Sequence, residues 1–305
     1  MSRLLAALCV LIFLTVSAAA QDRSWYYGLL VTNDGLGDGD DRWRTGSFAS
    51  SLAYAPGWSG RLPPGLGQLW ELRLDGEIIA PENSVTPAPG DRPYAQMLTF
   101  GLHTRFERGS IDYDIGGELA VTGPQTRLDD LQDLVHDIFG GDQPSRAVKA
   151  GQISNDFDLG LMVEAGREFP LGGAARLRPF FEARAGVETL LRAGADLTLG
   201  RFGRGGLLAR APVSGLRYSV IKEETPYQGL SLVLGADIAR VADSDLLPST
   251  AAMDASNTRA RARAGLHWRN RAGTSLFYGL TWLGEEFSTQ PDSQVTGAVQ
   301  LRINF

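Results

Sequence analysis

Apolar and polar side chains alternate along most of this chain. The clearest case is the C-terminal segment, where apolar and polar residues follow one another strictly (Val299, Leu301, Ile303 and Phe305 against Gln300, Arg302 and Asn304). A period of two predicts a β-strand with one apolar face. Similar alternation, interrupted by Gly, Pro and Asp, predicts twelve strands, with centres near residues 28, 49, 73, 98, 115, 160, 182, 196, 233, 263, 279 and 300.

The predicted strand around residue 263 carries a row of arginines. Arg259, Arg261 and Arg263 alternate with apolar residues, and such a row suits a polar barrel lumen but not a lipid-facing surface. The even strand number, with room for membrane strands of about 9–11 residues, fits a closed barrel. The terminal aromatic residue, Phe305, is typical of the last strand of bacterial outer-membrane barrels. A soluble β-sandwich or lipocalin-like barrel is the alternative.

Residues 125–140 depart from this pattern. Their apolar side chains recur at spacings of three and four, which predicts an amphipathic helix that ends at Gly140 and Gly141. In a barrel loop, the apolar face of this helix needs the outer barrel wall or the membrane interface to pack on. We therefore predict an all-β fold: a twelve-stranded antiparallel transmembrane outer-membrane β-barrel with one short extracellular-loop helix.

The N-terminal segment has the features of a signal peptide. A basic start precedes the apolar run 4–20, which ends in small residues suited to cleavage before Gln21. We predict a signal peptide over residues 1–20 and a single barrel domain over residues 21–305; a retained membrane anchor is the alternative. Cys9, the one cysteine, lies within the signal, so the mature chain has no disulfide, thiol nucleophile or cysteine metal site.

Composition alone would suggest a soluble acidic protein. The chain has 29 basic and 35 acidic residues, a net charge of −6, and no basic cluster of the kind that binds nucleic acid. Its mean hydropathy of −0.10 excludes a bundle of membrane helices. The alternation changes this picture, because barrel strands place lipid-facing apolar residues among polar lumen residues without any long apolar run.

Motifs for serine and zinc hydrolases are absent from the sequence, and its three histidines differ in setting. His103 and His267 lie in predicted strands and are expected in the lumen or at the rim. His136 lies on the predicted helix, where it is either a surface residue or a general base. Asn33 and Asp34 end the first strand, either as turn residues or as site residues.

The acidic stretch 35–41 follows directly. It has carboxylates that could bind Ca²⁺, but it lacks the spacing of an EF-hand loop. A solvated acidic turn is the simpler interpretation.

Four motifs occur in a fixed order along the chain. They are Thr32-Asn33-Asp34, Asp41-Arg42-x-x-Thr45-Gly46, Gly90-Asp91-Arg92-Pro93-Tyr94-Ala95, and Gly123-Pro124 followed by a helix with Val135-His136-x-Ile138-x-Gly140. Together they resemble the outer-membrane lipid A 3-O-deacylase family, which is named for LpxR. The resemblance covers the mature chain from about residue 25 to residue 305 and implies a twelve-stranded barrel.

The resemblance also implies an activity. Family enzymes are Ca²⁺-dependent esterases of the bacterial (Gram-negative) outer membrane that hydrolyse the ester-linked acyl(oxyacyl) chain at the 3-position of lipid A. Their catalytic residues fall on His136, Asn33, Asp34 and Thr45. By this correspondence His136 deprotonates a water, Asp34 helps to hold Ca²⁺, and Asn33 and Thr45 orient the reacting groups. Lipid A or lipopolysaccharide is the implied partner, and we expect a monomer.

One departure from the family pattern concerns a lysine. The family has an active-site lysine between the third strand and the Asp-Arg motif, whereas residues 80–90 contain none, and the chain has only Lys149 and Lys222. Arg92 or Asn83 could replace it as a donor, although a rim salt bridge between Asp91 and Arg92 is the simpler expectation. An inactive family member, a small porin-like barrel or a soluble periplasmic binding protein are the rival functions.

Overall fold

Twelve antiparallel strands close into a barrel in a computed structural model, which describes residues 24–132, 143–223, 227–248 and 253–303. The strands of the described residues are β1 (Trp25–Asn33), β2 (Trp43–Tyr54), β3 (Trp70–Ala80), β4 (Ala95–Arg108), β5 (Ile111–Thr122), β6 (Asp156–Gly166), β7 (Phe169–Gly172), β8 (Ala175–Ala185), β9 (Glu188–Leu199), β10 (Leu207–Arg210), β11 (Arg217–Ile221), β12 (Gly229–Ser244), β13 (Thr258–Arg269), β14 (Ser275–Leu283) and β15 (Gln294–Arg302). Pairing of β1 with β15 and of β6 with β8 closes the barrel. The short strands β7, β10 and β11 are not among its twelve strands. Each predicted centre falls inside one of the twelve barrel strands.

The barrel exposes its apolar side chains and buries its charged ones. On β6, Leu159 is 85% exposed whereas Glu164 is 4% exposed. On β13, the predicted arginine row faces the lumen and the intervening alanines face outward. A soluble sandwich or lipocalin would show the reverse arrangement, so the prediction of a transmembrane barrel is confirmed.

A hairpin formed by β10 and β11 fills the lumen, and the alternation did not predict it. Arg210 on β10 contacts two carboxylates of the barrel wall, Glu164 at 2.7 Å and Asp196 at 2.8 Å. On β11, the Tyr218 hydroxyl lies 2.7 Å from that of Ser51. The hairpin belongs to the connection from β9 to β12, which leaves the end of the barrel opposite Asn33 and folds back inside.

Ion pairs also line the described lumen. Arg263 bonds to Asp196 at 2.6 Å and also to Asp237. Nearer the mouth, Arg44 lies 2.6 Å from Glu77 and 2.8 Å from Glu286. Buried charges of this kind are tolerated because each has an opposite charge within hydrogen-bonding distance.

The filled lumen leads to the expectation that the intact protein is not a channel. In planar bilayers, we expect no stable conductance steps from the wild type, whereas replacing residues 204–222 by a short Gly-Ser linker should produce them. A wild-type conductance comparable to that of a porin would contradict this assignment of the lumen.

Two short helical segments of the connection between β5 and β6 lie against the outer wall. Residues 128–132 are helical, as predicted, and Leu128 packs with Ile78 and Ala80 of β3 and with Val148 of the second helix, Arg146–Ala150. The predicted helix therefore begins on the outer barrel wall; its remainder over residues 133–140 lies outside the described residues, as does the predicted signal peptide. No helix in the described parts of the chain is long and apolar enough to span a membrane.

Candidate functional site

Asn33 joins the ends of the first two strands. It lies on the outer face of β1, two residues after the lipid-facing Val31. Its amide Nδ2 donates to the Thr45 carbonyl at 2.9 Å, and its Oδ1 accepts the Gly35 N–H at 2.9 Å. The side chain thus acts as a strand-end and turn residue, and in doing so it brings Thr45 next to Asp34.

The Asp34 carboxyl is buried and fixed in orientation. Only 2% of the residue is exposed, and its two oxygens accept the backbone N–H groups of Gly35 at 2.8 Å and of Arg42 at 2.9 Å. Burial raises the pKa of Asp34 to about 8, against the lowering effect of the Arg42 N–H; the nearby charge of Asp41 raises this pKa further. A cation bound to this carboxyl would offset the free-energy cost of burying its charged form.

Thr45 lies in an irregularity of β2. The register with β3 shifts between Trp43 and Gly46, and this β-bulge redirects the side chains between them. Arg44 reaches the charged residues of the lumen, while the Thr45 hydroxyl donates to the Asp41 carboxyl at 2.5 Å and also hydrogen-bonds with Asp34. Thr45 therefore connects two carboxylates that are seven residues apart in sequence.

The turn that begins at Asp34 crosses the outer wall. The Leu36 carbonyl accepts the Tyr278 hydroxyl of β14 at 2.7 Å, and the Asp38 N–H donates to the Val295 carbonyl of β15 at 3.0 Å. Gly297 lies beneath, and any Cβ there would overlap the Leu36 carbonyl. The site is consequently on the outside of the barrel, at the end that carries the longest connection, between β5 and β6, and is therefore extracellular.

Gln96 holds the start of the loop helix against this wall. It is fully buried on the outer face of β4, where its Oε1 accepts the Asp129 N–H at 2.9 Å and the Thr126 hydroxyl at 3.1 Å. Its amide donates to Gln152 at 3.1 Å. A single side chain thus fixes the first turn of the helix on which His136 is predicted to lie.

Removing the Gln96 side-chain amide should loosen this helix without unfolding the barrel. We expect Gln96→Leu to leave buried donors unsatisfied at a cost of about 1–3 kcal/mol, seen as faster hydrogen exchange of residues 128–132. Gln152→Leu removes one partner only and should have the smaller effect. Equal protection in both variants and the wild type would contradict the anchoring role.

The structure places the remaining candidates as follows. His136 lies outside the described residues. His103 and His267 are buried in the lumen, as expected, and hydrogen-bond with Asp114 at 2.9 Å and Tyr227 at 3.2 Å respectively.

Arg92, one of the two residues suggested as a lysine substitute, donates to a carboxylate of the lumen mouth and not at this site. The expected Asp91–Arg92 side-chain pair is wrong, because Arg92 is 1% exposed at the lumen mouth and its guanidinium donates to Glu286 at 2.5 Å. Asp91 instead accepts backbone N–H groups of Glu82 and Arg92. The Asn83 oxygen accepts the N–H groups of its own turn.

Three oxygen-bearing side chains of the described residues meet at the start of the Asp34 turn. Asp34, its neighbour Asp41 and the Thr45 hydroxyl offer the hard oxygen donors that Ca²⁺ prefers. Calcium takes about six to eight oxygen ligands. Among the described residues, no group of three or more His, Cys, Asp and Glu side chains could hold a metal ion. The donor chemistry therefore fits calcium, with an incomplete ligand set.

Sequence reasoning missed two residues of this arrangement. The sequence favours a solvated acidic turn for Asp41, yet its carboxyl accepts the Thr45 hydroxyl; the spacing of four between the two residues in the Asp-Arg-x-x-Thr motif is the signal that points to this contact. The role of Gln96 could not be predicted from sequence. A glutamine at a lipid-facing strand position becomes a structural contact only where a loop covers that position.

Comparison with known proteins agrees with this architecture. The family model described as outer membrane protein LpxR matches residues 4–305, whereas no curated protein matches the sequence. The solved structure of LpxR from Salmonella typhimurium has a TM-score of 0.73 at 18% identity, covering 92% of this chain and 100% of that one. The translocator domain of the autotransporter NalP from Neisseria meningitidis has a TM-score of 0.40 at 10% identity, covering 100% and 97% of the two chains. The chain therefore belongs to the LpxR family of outer membrane proteins.

Proposed function

We propose that this protein is a lipid A esterase that removes the ester-linked acyl(oxyacyl) chain from the 3-position of lipid A. The observation that supports it best is the meeting of Asn33, Asp34 and Thr45 on the outer wall at the extracellular end of the barrel. Lipid A occupies the outer leaflet, so its glucosamine esters lie at this depth. An enzyme acting on it needs its site on the outside of the barrel and not in the lumen.

In this proposal each residue has a defined task. His136 accepts a proton from a water, whose oxygen attacks the ester carbonyl carbon. The bond between the carbonyl carbon and the sugar oxygen then breaks, and His136 returns its proton to that oxygen, so a fatty acid is released and a hydroxyl remains on the glucosamine. Asp34 would hold Ca²⁺, which supplies positive charge for the developing oxyanion. Asn33 and Thr45 keep the Asp34 turn in position through the hydrogen bonds described above.

The rival functions make different demands on the structure. A porin needs an open lumen, and the described lumen contains the β10–β11 hairpin and paired charges. An inactive family member would have the same barrel, and the absence of lysine from residues 80–90 is the feature that motivates it. Enzyme assays distinguish it from the proposed esterase.

The proposed activity is tested with purified protein in detergent. We expect incubation with a hexa-acylated lipid A and Ca²⁺ to release the 3-linked chain as a free acid, detected by mass spectrometry. Release of an amide-linked chain, or no release by correctly folded protein, would contradict the assignment.

The dependence on calcium should vary with pH in a direction set by Asp34. Because the pKa of this carboxyl is about 8, the ion must displace a proton at lower pH. We expect the calcium concentration for half-maximal activity to rise about tenfold for each pH unit below 8 and to level off above it. Chelation should abolish activity. A half-saturating concentration that does not change between pH 6 and 8 would contradict calcium binding at Asp34.

A further inference from the structure

A cleft of about 520 Å³ opens at the periplasmic end of β12 and β13, opposite the end that carries Asn33. It is lined by Gln228, Trp268, Asn270, Arg271 and Ala272. Trp268 is the last lipid-facing residue of β13 and lies in register with the exposed Leu230 of β12 and Leu276 of β14. The cleft therefore joins the apolar wall of the barrel to a polar, positively charged turn.

The depth of the cleft is that of the headgroups of the inner leaflet. Exposed aromatic side chains form a belt around the periplasmic end of the lipid-facing wall; they are Trp25, Tyr54, Trp70, Phe169 and Trp268. In transmembrane barrels such belts mark the interface between hydrocarbon and headgroups. Arg271 follows Trp268 by three residues, so it lies on the headgroup side of this interface.

The periplasmic end of the barrel is basic. Exposed arginines occur at every place where the chain passes from one barrel strand to the next at this end; they are Arg61, Arg108, Arg167, Arg201, Arg204 and Arg271. The exposed carboxylates described here are those of Glu107 and Glu168, and Glu168 already pairs with Arg176 at 3.3 Å. At the described extracellular end the balance is reversed, because exposed Asp and Glu outnumber exposed Arg and Lys.

Arg271 is the arginine of this end that is best placed to receive a ligand. Arg167 and Arg201 lie over the rings of Phe169 and Tyr227, at 4.9 and 5.3 Å from the ring centres. Arg271 is exposed on a closed turn, in which the Asn270 N–H donates to the Thr274 carbonyl at 3.0 Å and the Gly273 N–H donates to the Asn270 carbonyl at 3.2 Å. A guanidinium presented in this way can donate two hydrogen bonds to a phosphate.

We propose that this cleft binds the headgroup of an anionic phospholipid of the inner leaflet, with Arg271 on the phosphate and the acyl chains against Trp268 and Leu230. The amides of Gln228 and Asn270 suit hydroxyl groups such as those of phosphatidylglycerol. Phosphatidylethanolamine carries an ammonium group beside its phosphate, and the arginine-rich rim repels that group. The inference is independent of the esterase, because it concerns the opposite end of the barrel.

Native mass spectrometry of the purified protein tests the proposed preference. The protein is released from detergent micelles that contain equal amounts of phosphatidylglycerol and phosphatidylethanolamine, and the bound lipid is identified. One Lys or Arg near a membrane surface strengthens attraction to anionic lipid about fivefold. We therefore expect phosphatidylglycerol to be preferred at least about fivefold in the first bound lipid, and Arg271→Gln to lower the preference by about that factor.

Arg240→Gln is the matched control for this variant. Arg240 is an exposed arginine near the extracellular end of β12, where its guanidinium donates to Asn257 at 2.8 Å. Its loss removes the same charge from the other end of the barrel, so the preference for phosphatidylglycerol should stay at the wild-type value. Heat-modifiable mobility checks that both variants are folded.

A competition experiment distinguishes a membrane lipid from a soluble phosphate. Glycerol 3-phosphate has the charged group without acyl chains, so an excess of it should leave most of the phosphatidylglycerol bound. Loss of the preference in Arg271→Gln alone, with retention under competition, supports the proposal. The absence of a preference in the wild type, an unchanged preference in Arg271→Gln, equal losses in both variants, or complete displacement by glycerol 3-phosphate would each overturn it.

Discussion

Replacing Asp34 by Asn should abolish ester hydrolysis while leaving the barrel intact. The amide keeps the size of the side chain but cannot carry the negative charge that would bind Ca²⁺. Because metal stabilisation of an oxyanion contributes several kcal/mol, we expect a loss of about 10³-fold in kcat. The amide retains one acceptor for the two backbone N–H groups of Gly35 and Arg42, so we expect a cost of about 1–3 kcal/mol confined to the turn, with the barrel intact. The measurement is release of the 3-linked acid, with the heat-modifiable mobility of the barrel as the folding check.

Asp40→Asn is the matched control for this variant. Asp40 lies in the same turn, but its side chain is more than half exposed and contacts Arg42 at the surface, at 3.1 Å. An exposed pair of this kind contributes little, so activity should remain close to that of the wild type. Equal losses in both variants would indicate a damaged turn, and full activity in Asp34→Asn would contradict the role of Asp34.

His136→Ala should also abolish hydrolysis, by removing the base that activates water. General-base catalysis contributes about 10²–10⁴-fold, and we expect a loss in that range. In the wild type, kcat should rise with pH around the ordinary histidine pKa of about 6.5, because the neutral imidazole is the active form.

A second readout distinguishes catalysis from a structural effect. Hydroxide can replace the missing base, so residual activity of His136→Ala should increase steadily with pH without the histidine step. Hydrogen exchange of residues 128–132 should stay as in the wild type. Retention of the step near pH 6.5 in His136→Ala would contradict the assignment.

The barrel strands could be predicted from sequence because lipid and lumen impose opposite polarity on successive residues. The hairpin of β10 and β11 could not. Leu207, Leu208 and Ala209 are all buried, since neighbours inside the lumen enclose the hairpin on both faces. Without a lipid-facing side, a strand has no reason to alternate, and its sequence resembles an ordinary loop.

The site was predictable only through the motifs. Alternation places Asn33 on an outer face, but it cannot show that the following turn crosses β15 or that a bulge brings Thr45 to Asp41. Those features depend on the register between strands that are far apart in sequence, such as the pairing of Asn33 with Gly297. Arg92 illustrates the opposite error: its sequence neighbour Asp91 suggested a partner, while its actual partner Glu286 is almost two hundred residues away.

The central claim is tested most directly in cells. The protein is expressed in a Gram-negative host of known lipid A structure, with Asp34→Asn expressed in parallel, and lipid A from the outer membrane is analysed by mass spectrometry. The wild type is predicted to yield lipid A lacking the ester-linked chain at the 3-position, and the variant to leave lipid A intact. Unchanged lipid A in cells that contain the correctly inserted wild-type barrel would contradict the proposed esterase activity.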